Sequence, residues 1–294
     1  MPSGKRARQQ RREAAVAAPP PVRSKGAGGT RARQASPRVL AIVGGVVLVA
    51  VVAIVLGVVL SSNGGGGSSG GGSVVSASDM SGLPKVGNAN WSGQLDGAAD
   101  ANALFNGIPQ TGLVLGKPTA PVEMEMFIDV QCPFCQDYEV NNLPTVVKDD
   151  IKSGKVQLHL QPWAFIGGAG SQSFSGRLGL IAASFQNKGY EYAKVLYDNQ
   201  GTEDTGWLTG RQMALIAASV NGLNLKKWQQ SANGSAVKQI ASRVDRLAAK
   251  AKVQGTPTVL VGCAGNTLQN VTSPQLEPTL EQTQNAIAAA SCSK

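Results

Sequence analysis

Val122-Glu123-Met124-Glu125-Met126-Phe127-Ile128-Asp129-Val130-Gln131-Cys132-Pro133-Phe134-Cys135 is the stretch whose reading decides the fold. Met124, Met126, Ile128 and Val130 alternate with Glu123, Glu125, Phe127 and Asp129, the two-residue period of a strand, predicted over 122–130. Directly after it stand two thiols separated by two residues, where a helix is predicted over 133–152, kinked near Pro144. A helix start turns unpaired backbone N–H groups and the positive end of the macrodipole toward the first sulfur, favouring thiolate over thiol. Cys132 is therefore the candidate nucleophile. Cys135, one turn further on, is the candidate thiol for resolving a mixed disulfide.

Two other uses of such a pair compete. It could be half of a zinc site completed by Cys263 and Cys292, or an inert bridge. Cys263 and Cys292 lie 29 residues apart and form no second knuckle. A downstream segment, Val253-Gln254-Gly255-Thr256-Pro257-Thr258-Val259, decides between these readings. Proline cannot donate to a strand ladder, so Pro257 marks the start of the strand predicted over 256–262, where a cis bond is open to an X-Pro peptide.

Strand, Cys-Pro-Phe-Cys, helix and a proline at a strand mouth together resemble the thioredoxin superfamily. The segments Gly107-Ile108-Pro109-Gln110, Leu115-Gly116-Lys117-Pro118, Ala120-Pro121-Val122 and 127–135 resemble its DsbA-type branch, the secreted or membrane-anchored thiol oxidoreductases of bacteria. The resemblance covers about 104–294. It implies an α/β thioredoxin fold with a helical insertion, about 166–253. It also implies a cis-proline at Pro257 that faces the active-site disulfide and leaves the Thr256 backbone free to pair with substrate. The implied activity is thiol:disulfide oxidoreduction on cysteine-containing secreted or membrane proteins. No metal or organic cofactor is expected, and the implied partner is a quinone-linked membrane oxidase of the DsbB or vitamin K epoxide reductase type. Disulfide isomerase or reductase activity, or a non-redox peptide-binding or chaperone module, are the alternatives.

Two departures bear on redox character. The family has a buried acid six residues before the first active-site cysteine, where this chain has Met126, so a water or a displaced acid must serve. The strongest oxidases carry histidine between the cysteines, where this chain has Phe134. Without that donor the disulfide is expected to be less oxidising. Thr256 before Pro257 resembles the isomerase and reductase relatives as much as the oxidases.

The net charge of +9 resides in the first 38 residues, which hold ten basic side chains against the single acid Glu13, leaving 17 basic and 17 acidic residues beyond. The high pI therefore implies no nucleic-acid surface on the folded part. Residues 39–60 carry neither charge nor proline and would span roughly 33 Å as a helix, enough to cross a bilayer. The excess of Lys and Arg before them places 1–38 in the cytoplasm, as a disordered tail, and the rest outside. Residues 61–103, with Gly64-Gly65-Gly66-Gly67-Ser68-Ser69 in them, read as a flexible linker with a reach of roughly 35 Å, apart from a short docking helix.

Further along, a strand is predicted over 156–165, with Val156, Leu158 and Leu160 on one face. Helical spacing links Leu178, Ile181, Ala182 and Phe185; then Met213, Ile216, Ala217 and Val220; then Val237, Ile240, Ala241, Val244 and Leu247. A strand over about 267–271 and a helix over about 274–290 would close the fold. In an oxidising compartment an even cysteine count favours pairing, so Cys263 and Cys292 are expected to form a structural disulfide, a second redox relay being the alternative. His159 is the sole histidine, which argues against histidine-based catalysis. Gly167-Gly168-Ala169-Gly170 lacks the Lys-Ser/Thr of a phosphate loop and reads as a turn.

Overall fold

The computed structural model describes residues 73–168, 170–272 and 277–292. The basic tail, the apolar run at 39–60 and the start of the linker lie outside them. Among the described residues no helix is long and apolar enough to cross a membrane.

The alternation at 122–130 produces β3 (Val122–Ile128), the inner strand of a six-stranded sheet. Its neighbours are β4 (Val156–Pro162), parallel, and β5 (Thr258–Cys263), antiparallel. The order is β1-β2-β4-β3-β5-β6, with the short β1 (Gln110–Thr111) and β6 (Gln269–Asn270) at the edges and the equally short β2 (Val114–Leu115) between β1 and β4. Met124, Met126 and Ile128 enter the main core. Phe127 faces the other way into a smaller cluster with Leu260 and Ala248, which covers that face.

Between β3 and β4 runs α2, residues 133–151. Its α-helical pieces Pro133–Asp137 and Leu143–Val146 alternate with the π turns Tyr138–Asn142 and Val147–Ile151. Pro144 has no N–H to give, and the helix takes this up by widening into five-residue turns on either side of 143–146.

Five helices separate β4 from β5: α3 (Gln172–Ser184), α4 (Gly189–Asp198), α5 (Gly210–Ala218), α6 (Leu225–Ala232) and α7 (Ser235–Ala251). They form the inserted helical layer. At its centre Trp228 is fully buried, with Nε1 donating to the Gly179 carbonyl at 2.8 Å. The three periodic segments fall in α3, α5 and α7. By contrast, α4 and α6 had no legible stripe. Nine of the ten residues of α4, from Gly189 to Tyr197, are buried, so no polar face sets off an apolar one. The last helix, α8 (Leu280–Ala289), begins at a Thr279/Gln282 capping box, later than the predicted start near 274.

Residues 73–97, read from sequence as linker, are laid along the helical layer and lead into α1 (Ala98–Phe105). Asn233 Oδ1 accepts from the N–H groups of Val74 and Val75 at 2.7 and 3.2 Å, and its Nδ2 donates to Val75 O at 2.8 Å. Arg211 donates to the carbonyls of Asp79 and Ser81. Asn88 N donates to Ala218 O at 2.9 Å, taking up a carbonyl that α5 leaves unpaired at its end. A Cβ on Gly87 would lie 2.1 Å from the Val220 carbonyl, so only glycine permits this approach. The segment is held by hydrogen bonds to its backbone groups and by scattered apolar residues such as Val75 and Ala89, without an apolar stripe, which is why its composition read as linker.

Asn233→Ala removes three of these hydrogen bonds and exposes polar groups around buried Val75. It is expected to lower stability by about 1–2 kcal/mol in denaturant unfolding. Proteolysis should then cut first within 73–97.

Candidate active site

Strand β3 ends at Ile128, and the chain turns through Asp129, Val130 and Gln131 into α2. Cys132 sits at the N-cap with extended backbone, φ −70° and ψ 123°. Pro133 occupies the first helical position, where a missing N–H costs nothing. Cys132 is 5% exposed and Cys135 is fully buried, and both are free thiols. Thr256-Pro257 is a cis peptide, and the Cys132 thiol donates to the Thr256 carbonyl at 3.2 Å. Cys132, Pro133, Phe134, Cys135, Thr256 and Pro257 thus converge at one end of β3.

The two sulfurs differ in their protonation. The Cys132 pKa is lowered to about 7, chiefly by the hydrogen bond from the Cys135 thiol. The Thr256 side chain and the N–H groups of Cys135 and Phe134 add to this, and burial opposes it. Burial pushes the Cys135 thiol well up, and its hydrogen bond to Cys132 adds to the effect.

Asp129 is fully buried. The alternation of β3 had placed it on the face away from the cysteines, but the strand stops at Ile128 and the rule no longer applies. Its Oδ1 accepts from Gln131 N at 2.9 Å and Ser173 Oγ at 2.6 Å. Its Oδ2 accepts from the N–H groups of Phe165 and Ile166 at 2.7 and 2.8 Å. Burial raises its pKa while these four donors pull it down. Its own N–H donates to Cys135 Sγ at 3.4 Å. The loop so anchored presents Phe165, 49% exposed and in ring contact with Trp163. Phe134 is 59% exposed on the first turn of α2. The Phe134 side chain supplies no donor and no charge, so the lowered pKa of Cys132 rests on the backbone N–H groups of the helix start, Cys135 and Thr256.

Sequence reading also missed Glu139. It is buried on α2 one turn beyond Cys135, and its pKa is pushed up to about 8 by burial. Spacing carried the signal, since Cys135, Tyr138, Glu139, Leu143 and Val146 share one helical face. Cys263 and Cys292 are joined by a disulfide, with Cα atoms 5.3 Å apart. They are therefore not available to complete a zinc set with the active-site pair.

A family model described as thioredoxin matches residues 109–282. The probable disulfide bond formation protein D of Bacillus cereus is 29% identical over 150 residues, which is 50% of this chain and 68% of that protein. The disulfide bond formation protein D of Bacillus subtilis is 24% identical over 148 residues, 50% of this chain and 66% of its own length. Among solved structures, oxidised BdbD from Bacillus subtilis aligns with a TM-score of 0.51 at 19% identity, covering 62% of this chain and 95% of that one. That likeness is one of fold.

Alkylation of the reduced protein should read out the difference between the sulfurs. The rate at Cys132 is expected to rise with pH through an inflection near 7, as thiolate replaces thiol, while Cys135 stays unmodified in the folded state. Equal reactivity of the two thiols would contradict the geometry.

Proposed function

The chain belongs to the thioredoxin family, and from that premise we propose that it is an extracytoplasmic, DsbA-like thiol:disulfide oxidoreductase acting on cysteine-containing proteins. The observation that carries this reading is the asymmetry of the pair. One sulfur ionises near neutrality beside the Thr256 carbonyl, and the other is sealed beneath it with a raised pKa. In the oxidised enzyme a substrate thiolate attacks Cys132, the bond between Cys132 and Cys135 breaks, and its electron pair goes to Cys135. A second substrate thiolate then attacks the substrate sulfur of the mixed disulfide and releases Cys132, the better leaving group because its pKa is lower. The products are a substrate disulfide and the enzyme dithiol. An extended substrate would lie along the Thr256-Pro257 loop as an added strand, flanked by Phe134 and Phe165.

The compartment is supported by the Cys263–Cys292 bridge, of a kind that persists where glutathione does not keep thiols reduced. Attachment through a single membrane-spanning helix at 39–60, with the N-terminus in the cytoplasm, rests on hydropathy and on the basic residues before it. Re-oxidation by a quinone-linked membrane partner follows from the family resemblance. A second reading, reductase or isomerase, is favoured by one observation: a Cys132 pKa of about 7 equals the thioredoxin value and lies far above the roughly 3.5 of DsbA.

Cys132→Ser is expected to abolish exchange with a dithiol peptide. Cys135→Ser should instead accumulate mixed disulfides, visible as adducts on non-reducing gels. Adducts on the first variant and none on the second would reverse the assignment.

The potential of the pair is expected between the roughly −270 mV of thioredoxin and −120 mV of DsbA. Phe134→His, which adds a donor at the helix start, should lower the Cys132 pKa and make the disulfide more oxidising. An unchanged potential in that variant would show that position 134 does not tune the site.

A further inference from the structure

Three large apolar side chains stand exposed among the described residues. Phe134 and Phe165 belong to the thiol site described above. The third, Val86, is 48% exposed on the docked segment before α1, and nothing in the exchange chemistry uses it. Its surroundings are built by two stretches of chain that pair. Val86 and Asn224 form an antiparallel bridge, Leu225 N donates to the Lys85 carbonyl at 3.1 Å, and Gly87 N donates to Leu223 O at 2.9 Å. The pairing sets Lys85 and Val86 beside the start of α6, where Lys226 and Lys227 are exposed while Trp228 is buried.

Both stretches carry charge of one sign. Residues 80–95 hold Lys85 and no acid, and between Asp204 and Asp245 the chain has Arg211, Lys226, Lys227, Lys238 and Arg243 and no acid. The chain beyond residue 38 is neutral as a whole, so this is a local excess. Lys85, Lys226 and Lys227 enter no ion pair among the described residues. An exposed apolar side chain set among unpaired ammonium groups suits the surface of an anionic bilayer, where the apolar group enters the acyl boundary and the lysines meet phosphates. The length of the chain brings that surface close. Asn233, the C-cap of α6, fixes Val74 and Val75, so the segment starts at one end of α6 and the lysines stand at the other, roughly 12 Å away. Only residues 61–72 separate Ser73 from the apolar run at 39–60, and a stretch of that length reaches at most about 40 Å.

We propose that the face formed by Lys85, Val86, Lys226 and Lys227 seats on the anionic headgroups of the membrane that carries the anchor, an inference that rests on the membrane-spanning reading of 39–60 and not on the thiol chemistry. Anchor and face act together, because a tether that short holds the face at a high effective concentration against the lipid. Near an anionic surface each lysine favours the bound state about fivefold, so the three together contribute on the order of 100-fold. Screening by salt weakens this attraction. None of the four residues belongs to the thiol site, so seating and disulfide exchange use different surfaces. A seated domain would meet its substrates at the membrane surface.

The test is amide hydrogen exchange of the full-length protein held in lipid nanodiscs, one set of phosphatidylcholine alone and one with phosphatidylglycerol added. In the anionic discs, exchange within 80–91 and 221–231 should slow several-fold relative to the neutral discs. The difference should vanish near 0.5 M salt, where the screening length falls to roughly 4 Å. Reversing the three charges together, Lys85→Glu with Lys226→Glu and Lys227→Glu, should abolish it at low salt, and Val86→Ser should reduce it. Alkylation of Cys132 should proceed alike in every variant, which reports an intact fold. The basic tail also meets anionic lipid, but it is unchanged in the triple variant, so the comparison isolates the face. Equal exchange in the two kinds of disc, or protection that survives the three reversals, would overturn the seating and leave the anchor and the oxidoreductase reading standing. A protein that stays with neither kind of disc would overturn the anchor and the seating together. Should the triple variant fail to fold, the lipid and salt comparisons on the wild type decide: protection that is the same in neutral discs or indifferent to salt overturns the proposal.

Discussion

The active site depends on one buried residue, Asp129, every polar atom of which is engaged. Its carboxylate gathers the loop after β4 through Phe165 and Ile166, the turn through Gln131, and the start of α3 through Ser173. Its carbonyl accepts from Cys132 N at 3.0 Å and from the Tyr197 hydroxyl at 2.9 Å, and its N–H reaches Cys135. A buried carboxylate is costly unless its lone pairs are filled, and the donors that fill them come from separate parts of the chain. Satisfying one charge therefore fixes the end of β3, the start of α2, the aromatic loop and two helices of the insertion relative to each other. The helical layer is in this way part of the thiol site, although it contributes no atom to the exchange.

Within that frame the chemistry follows from where each sulfur stands on α2. Both receive help from backbone N–H groups, yet one pKa falls and the other rises. The sulfur at the N-cap gains donors from its partner and the helix start and keeps a narrow opening to solvent. The one a turn inside loses water entirely, and the Asp129 N–H and the Thr256 side chain offset only part of this. In the exchange proposed above, electron pairs would enter and leave at Cys132, the sulfur that solvent can reach.

Much of this was legible in the sequence, for identifiable reasons. Periodicity and two special residue patterns gave β3, β4, β5, α3, α5, α7, the thiol turn and the proline opposite it. Failures came where a local rule reached its end or its signal was absent. Alternation placed Asp129 outward because it was carried one residue past the strand. The uniformly buried α4 offered no contrast between faces, and β1 and β2, two residues each, are too short for a period. Residues 73–97 dock through hydrogen bonds to their backbone groups and a few unevenly spaced apolar residues, which neither composition nor periodicity encodes. Glu139 was readable from its spacing, but a glutamate on a helix is ordinarily solvent-facing, and only the packing of α4 against it reverses that.

The positions of the two cysteine pairs bear on whether electrons pass between them. Register sets Val122, at the start of β3, against Cys263, and Phe127, near its end, against Thr258. Cys132 lies beyond the far end of β3, against Thr256. Cys263 is therefore five strand steps from Thr258, roughly 17 Å, at the opposite end of the sheet from the thiol site. Exchange demands sulfur–sulfur contact, so the pairs remain separate while the sheet is intact. The Cys263–Cys292 bridge fastens the end of β5 to the chain three residues past the end of α8, and Thr283 of α8 shares a hydrogen bond of 3.0 Å with the Tyr138 hydroxyl on α2. The strand that begins after the Thr256-Pro257 peptide and the helix that carries the thiols are thereby held to the same C-terminal element, so that the Thr256 carbonyl and the Cys132 sulfur keep their separation.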